Sequence, residues 1–555
     1  MIPFAILSGK IKTKTDEKEI RLLELSPDYF TFRLLKEQAQ KYVQQLSDAG
    51  QQGNIVLSFF QFQKRSYHEV ILNCTRDVVK IELMPQKQME GLVCEIRVDV
   101  KNEEYRIYTE RFNKEYLNYI YLKLDETEAD VIIINTCCFI NDAKEESVQT
   151  ILEMAEWKKK GRLKALIVTG CMAQRYQDEI QQEIPEVDAV IGTTGYTEIV
   201  PILDEILAEA EASQKEAAVE EPKEKSFVNC CPSIDLLPAS LADKRVVTTG
   251  GYTAYLKIAE GCNKRCTYCI IPYIRGHYRS FPMEDLLEEA RKLAEGGVKE
   301  LILIAQETTV YGMDCYGRKA LPELLTKLCE IEGIEWIRIL YCYPEEITDE
   351  LIAVMKKEKK ICHYLDIPIQ HSEDTILKRM GRRTNRAELV SLVEKLRKEI
   401  PDIVLRTTLI TGFPGETEEE FKNMVDFVDS MEFDRLGVFP YSAEEGTKAA
   451  EMDGQITEEV KESRRDEIMA LQQEISADKA ASRIDDEMSV LIEGYLYEDD
   501  IYIGRTYMDA PKVDGNVFVR AEEELISGDI VPVRITGANE YDLMGDVIYA
   551  DEFTE

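Results

Sequence analysis

The stretch YLKIAEGCNKRCTYCIIPYIRG, residues 255–276, decides the fold. A strand-like apolar run ends on Gly261, and Cys262, Cys266 and Cys269 follow at C-x3-C-x2-C spacing. One loop therefore presents three thiolates to a single metal centre. A cubane iron–sulfur cluster has four irons, so three cysteines leave one iron open to a further ligand, whereas closed electron-transfer clusters take four. Zinc is the plainer alternative, but zinc motifs favour paired C-x2-C units and no second pair follows this one.

Outward from the loop, residues 248–484 alternate strand-like and helix-like runs, among them VKELILIAQETT, WIRILYCYP, YLDIPIQ and VLRTTLITGFPGE between helices such as MEDLLEEARKLAEGG. That alternation predicts an α/β barrel or partial barrel with functional residues at the C-terminal ends of its strands, closed by a charged helix over 457–484. Residues 485–555 carry short strand-like runs broken by Gly and Asp turns, the pattern of a small β-barrel. Upstream, ADVIIINTCCFINDAKEESVQTILEMAEWKKKG and KALIVTGCMAQRYQDEI are two strand–loop–helix units, which predict a small parallel α/β domain over 116–212. A Lys/Glu/Ala-rich linker spans 213–247. Residues 1–115 read as an extra β-rich segment without a catalytic constellation.

At 555 residues the chain is long enough for three or four domains, and its 44% hydrophobic content suits globular ones. No window approaches the roughly 18 apolar residues of a membrane span, and the first residues lack the pattern of a secretion signal. Fourteen cysteines without such a signal point to reduced, metal-ligating thiols and a cytoplasmic protein. Asp and Glu number 105 against 68 Lys and Arg, a net charge of −37. That charge disfavours broad contact with DNA or another polyanion and makes a basic protein the more natural partner, although solubility alone also explains it.

Cys137 in NTCC and Cys171 in TGC both follow apolar strands and should emerge on loops at the same sheet edge. Small buried residues at strand ends are the structural alternative. Cys138 diverges from its neighbour and reads as packing; Cys74, Cys94, Cys230, Cys231, Cys315, Cys329, Cys342 and Cys362 sit at no ligand spacing. In DIPIQHSED, Gln370, His371 and Ser372 suggest a pocket, with a hydrogen-bonded structural His371 equally consistent. In LITGFPGETEEEF, Gly412, Pro414 and Gly415 permit a tight turn, and Thr417 with Glu420 can cap the next helix.

These segments together resemble the radical S-adenosylmethionine (SAM) methylthiotransferases over roughly residues 122–551. AEGCNKRCTYCIIPYIRGHYRS, AQETTVYG, YCYPEEI, DIPIQHS, LRTTLITGFPGETEEEF, FPYSAEEGTKAA and GRTYMDAPKVDG resemble the branch that modifies an aspartate of ribosomal protein S-twelve in the small subunit. The resemblance implies a radical SAM partial (β/α) barrel, an N-terminal α/β cluster domain and a C-terminal TRAM β-barrel. It implies a four-iron, four-sulfur (4Fe-4S) cluster on Cys262, Cys266 and Cys269 that binds SAM, with Tyr268 beside the adenine and the backbone at Gly412 and Gly415 close to SAM. A second, auxiliary 4Fe-4S cluster would use Cys137 and Cys171. One SAM would methylate a sulfur held at that auxiliary cluster. A second, cleaved at the first cluster, would give a 5′-deoxyadenosyl radical that takes a hydrogen from the aspartate β-carbon, which then captures the methylthio group. Electron-donor and sulfur-donor proteins are the further partners implied. A tRNA-modifying relative, with a more basic TRAM barrel, is the alternative within the family; a ligand-binding regulator built on residues 1–115 is the alternative outside it.

The family holds its auxiliary cluster with three cysteines, the first in an SLGC-like opening segment that this chain lacks. Residues 1 to about 121 instead loosely resemble a PilZ-type β-barrel, through LLELSPDYFTF. A fusion that lost the site, a recruited Cys74 or Cys94, or a sequence joining two neighbouring genes would each explain this. Recruitment fits least well, because neither upstream cysteine follows a strand–Gly turn. Without the auxiliary cluster, SAM cleavage should survive and methylthiolation fail.

Overall fold

The computed structural model describes residues 129–161, 163–216, 227–237, 247, 251–496 and 499–549, with side chains omitted for 210–216; before residue 129 it describes strand backbones only. There, β1 (Ala5–Lys12), β2 (Glu17–Ser26) and β3 (Tyr29–Leu34) form one antiparallel sheet. A second is a meander of β4 (Gly53–Phe62), β5 (Arg65–Thr75), β6 (Val78–Pro85), β7 (Leu92–Asp99) and β8 (Glu104–Arg111). The β-rich expectation holds; the PilZ-type likeness and the side chains of Cys74 and Cys94 lie outside the described residues.

The next domain is a four-stranded parallel sheet in the order β12-β11-β10-β9, with β9 (Val131–Thr136), β10 (Ala165–Gly170), β11 (Ala189–Ile191) and β12 (Val228–Cys230). Helix α1 (Asn141–Lys159) follows β9, and the short α2 (Cys171–Arg175) follows β10. Every residue of β10 is buried, as a parallel strand covered on both faces requires. β12 lies inside the stretch read as a linker: three residues pairing with β11 are too few to leave a periodic signal in the sequence.

The barrel sheet is all parallel and ordered β13-β16-β17-β18-β19-β20: β13 (Thr253–Lys257), β16 (Glu300–Ile304), β17 (Trp336–Ile339), β18 (Ile361–Asp366), β19 (Val404–Thr411) and β20 (Arg435–Pro440). Between the first two, the short β14 (Ala259–Glu260) and β15 (Arg279–Ser280) pair with each other. Strand β16 explains how one sequence serves two faces. Leu301 and Leu303 pack on the helical side with Leu286, Leu324 and Leu325, while Ile302 joins a separate cluster on the inner side. Helices α3 (Met283–Glu295), α4 (Leu321–Cys329), α5 (Asp349–Lys357), α6 (Arg386–Glu399), α7 (Glu418–Met431) and α8 (Glu458–Ala481) alternate with or follow the strands. The predicted capping box opens α7: Thr417 Oγ1 accepts from Glu420 N at 3.2 Å, and Glu420 Oε2 accepts from Thr417 N at 2.8 Å.

β21 (Glu487–Leu496), β22 (Ile501–Arg505), β23 (Val517–Arg520), β25 (Leu543–Val547) and β24 (Ile530–Ala538) close into the expected small barrel. Its core continues into the larger one: Ile302, Leu340, Cys362, Tyr364 and Val404 cluster with Met508, Val517, Val519 and Val533. Among the described residues no helix is long and apolar enough to cross a membrane.

Candidate functional site at the barrel mouth

The ends of the cysteine loop are pinned before its thiols are placed. Glu260 and Arg279 are paired across β14 and β15, Gly261 N donates to Gln306 Oε1 at 2.7 Å, and Cys262 N donates to Gly276 O at 3.2 Å. Gly261 has φ +78°, and a Cβ there would lie 2.1 Å from His277 O, so only glycine makes this turn. In mid-loop, Thr267 donates from N to Met380 O at 2.9 Å and from Oγ1 to Arg379 O at 2.8 Å, and its carbonyl accepts from Ala449 N at 2.9 Å. Further on, Ile270 and Ile274 enter the core of the neighbouring α/β domain.

Cys262 and Cys266 are buried and Cys269 half-buried. Burial, together with the negative charge of neighbouring thiolates, pushes the Cys262 thiol up to about 11 and the Cys269 thiol up to about 12. Among the described residues no group of three or more His, Cys, Asp and Glu side chains is already drawn together as a metal cage. The donor set nevertheless fits an iron–sulfur cluster: three thiols on one anchored loop, whose mutual repulsion a bound cation would relieve. The nearest histidine in sequence, His277, is exposed and faces Asp235, with Nδ1 3.0 Å from Oδ1.

Around the loop, Tyr343 Oη lies 3.6 Å from Cys266 Sγ, and the Arg382 guanidinium stacks 4.3 Å above the Tyr343 ring. Lys264 pairs with Glu345 at 3.2 Å, with Glu346, and with Glu307 at 3.6 Å. Glu307, in the AQETT segment after β16, is 1% exposed, and one of its oxygens has no hydrogen-bond partner. Burial raises its carboxyl to about 7. Sequence reading assigned no role to Glu307, Lys264 or Arg382; a carboxylate directly after an apolar strand was the signal for the first.

Tyr268 meets Phe413 edge-on at 6.5 Å, and Phe413 meets Tyr441 at 5.3 Å, an aromatic pack between the cysteine loop and the ends of β19 and β20. Gly412 and Gly415 adopt φ +68° and +79°; a Cβ would lie 2.2 Å from Lys461 Cγ at the first and 1.9 Å from an Arg379 nitrogen at the second. Their glycine character is thus explained by contacts within the chain. His371 is buried: Nδ1 accepts from Glu373 N at 3.0 Å, and Nε2 lies 3.4 Å from Glu416 Oε2 without a hydrogen bond. Glu416 also accepts from Gly412 N at 2.9 Å and from Arg464 at 2.7 Å, tying the GFPGE turn to α8.

At the second cysteine pair, β9 and β10 are in register with Thr136 opposite Gly170, so Cys137 and Cys171 leave adjacent strands side by side. Cys137 is exposed and Cys171 half-buried, whereas Cys138 is fully buried in the core, as expected of a packing residue. The Arg275 guanidinium, at the end of the IPYIRG segment, lies 3.4 Å from Cys171 Sγ and 3.4 Å from both oxygens of Glu260. One arginine therefore touches the second pair and the strand that carries the first loop. The α/β domain is further docked by Lys144 and Arg175, which pair with the buried Glu444 at 2.9 and 2.8 Å.

The other end of the barrel is stoppered by residues 505–514 of the C-terminal barrel. Glu300 is fully buried between Arg338 at 3.0 Å and Arg505 at 2.7 Å. Burial opposes its ionisation, but the two guanidinium groups outweigh that and hold its carboxyl below the usual range. Arg435 binds Asp509 at 2.5 Å, and Asp514 accepts from Tyr364 Oη at 2.7 Å and pairs with Arg406 at 3.4 Å. The lumen is thus a cup whose open mouth is the cysteine loop.

Comparison with family models and sequence relatives agrees with this architecture. The Radical SAM superfamily model matches residues 256–428, the TRAM domain model residues 484–548, and the model of Uncharacterized protein family UPF0004 residues 106–192. A ribosomal protein uS12 methylthiotransferase RimO from Lachnoclostridium phytofermentans is 62% identical over 421 residues, 76% of this chain and 92% of that protein. The protein of the same name from Acetivibrio thermocellus is 52% identical, over 76% of this chain and 91% of its own. Among solved structures, the radical SAM methyltransferase TsrM from Kitasatospora setae has a TM-score of 0.40 at 14% identity, covering 56% of this chain and 61% of that one. On its sequence relatives, this chain belongs to the RimO family of radical SAM methylthiotransferases.

Proposed function

We propose that the protein places a methylthio group on the β-carbon of an aspartate in ribosomal protein S-twelve. The observation that carries this reading is 62% identity across 92% of a relative named for that activity. When bound, a 4Fe-4S cluster with SAM on its open iron supplies reductive cleavage of SAM to a hydrogen-abstracting carbon radical. Cys262, Cys266 and Cys269 are its ligands in this reading, and the hydrogen bonds that anchor Gly261, Cys262 and Thr267 fix where those ligands stand. The Tyr268–Phe413–Tyr441 pack and the backbone at Gly412 and Gly415 would border the adenosine of SAM. The stopper packs against the end of the barrel opposite the cysteine loop. Cys137 and Cys171 would hold the auxiliary cluster, and Arg275 would orient Cys171 toward the barrel. The net charge of −37 favours a basic ribosomal protein as acceptor, while electron-donor and sulfur-donor proteins complete the set of partners.

The test incubates the reconstituted chain with SAM, a reductant and S-twelve, and with tRNA in parallel. One hydrogen of an S-twelve aspartate replaced by a methylthio group, read by peptide mass, is the expected result. Thiolated adenosine in tRNA with unmodified S-twelve would favour the nucleic-acid branch, and SAM cleavage with neither product would favour impaired sulfur insertion.

A further inference from the structure

The YCYP segment after β17 contributes Tyr343 to the cysteine loop, but Tyr341 does something else. Its backbone sits at φ +60°, a left-handed conformation that an aromatic residue rarely adopts and that persists only when its surroundings impose it. Those surroundings are specific. Tyr341 N donates to Asp366 Oδ2 at 3.1 Å, its carbonyl accepts from Thr308 N at 3.1 Å, and Cys342 N donates to Asp366 O at 2.8 Å. Asp366 Oδ1 in turn accepts from Arg406 at 2.9 Å, and Arg406 is paired with Asp514 of the stopper. A continuous polar chain therefore runs from the C-terminal barrel to the one strained residue at the end of β17.

The strain turns the ring outward from the core. Leu340 and Cys342 are buried on either side, whereas Tyr341 is 48% exposed. The Asp366 carboxylate that holds its amide is paired with Arg406, which reaches Asp514 of the stopper, so Tyr341 stands at the C-terminal end of β17 beside charges that line the barrel interior. It stands on β17, apart from the Tyr268–Phe413–Tyr441 pack at the ends of β19 and β20. Beneath it, the floor network sets the guanidinium groups of Arg338, Arg406, Arg435 and Arg505 against the carboxylates of Glu300, Asp366, Glu493, Asp509 and Asp514, a surplus of one negative charge. An aromatic face over a negatively biased floor suits a Lys- or Arg-bearing peptide, through cation–π contact and stacking.

We propose that Tyr341 is the lumen residue that grips the basic acceptor loop, and that the Asp514–Arg406–Asp366 chain is the positioning device that holds it there. This rests on the reading of S-twelve as acceptor and names what would recognise it.

The test measures binding of S-twelve and of SAM to the reconstituted full-length protein. Tyr341→Gly suits the left-handed backbone and so should fold with an undiminished melting temperature. It is expected to weaken S-twelve about 30-fold, the effect of losing an interface anchor, while SAM affinity changes by less than about 3-fold. Arg406→Gln should weaken S-twelve in the wild-type background and add nothing in the Tyr341→Gly background, because both changes remove the same contact. Unchanged S-twelve affinity in Tyr341→Gly, an equal loss for SAM, or additive effects of the two variants would each overturn the inference while leaving the functional reading intact. A wild-type protein that binds no S-twelve would overturn both.

Discussion

The two cysteine sites differ in what holds them. Cys262, Cys266 and Cys269 lie on a single loop whose ends are paired as β14 and β15 and whose middle is hydrogen-bonded to residues 379, 380 and 449. Cys137 and Cys171 follow separate strands, set side by side by the register of β9 and β10, and one of them is exposed. A site contained in one loop survives rearrangement elsewhere in the chain, whereas a site split between segments fails when one segment is replaced. A change in the opening segment would therefore fall on the second site and spare the first.

The sharpest way to break this contrast is Cys266→Ala. Loss of one of three ligands on the anchored loop should lower SAM cleavage by about 1,000-fold or more and remove about four irons per chain, read by product analysis and iron determination. Retained cleavage would mean that the loop does not hold the reactive cluster. A second test addresses the support beneath the loop. Glu300→Gln leaves Arg338 and Arg505 buried with a neutral partner, and should cost about 3–5 kcal/mol of stability in denaturant unfolding. A change within error would show that the stopper does not hold the cup together.

A third and smaller effect comes from Glu307. Its folded-state carboxyl lies near 7 against an ordinary 4.5. Below about pH 4.5 folded and unfolded chains both carry the proton, and between there and about 7 only the folded chain does, so stability falls as pH rises through that window. In cluster-free protein the loss should be on the order of 3 kcal/mol by about pH 8, and Glu307→Gln should abolish that slope. A slope that persists in the variant would assign it to another group.

Much of this was legible in the sequence because it is local. The cysteine triplet, the alternation of strands and helices, the Thr417–Glu420 capping box and the closed C-terminal barrel each depend on residues near one another in the chain. What was not legible depends on contacts across long separations. GRTYMDAPKVDG stood out as a family signature, yet nothing in it announces that Arg505 reaches Glu300 and Asp514 reaches Arg406. Nor does the sequence announce that Lys461 and Arg379 crowd the Cβ positions of Gly412 and Gly415. Tyr341 reads as one more aromatic residue in YCYP until the backbone angle imposed by Asp366 is seen.

The division of labour between the two sites is tested most directly by the double variant Cys137→Ala/Cys171→Ala, assayed for 5′-deoxyadenosine and for S-twelve mass in the same reaction. The predicted result is continued formation of 5′-deoxyadenosine with S-twelve unmodified, because the loop makes the radical and the split pair delivers the sulfur. Methylthiolated S-twelve from that variant, or SAM cleavage lost together with the product, would contradict it.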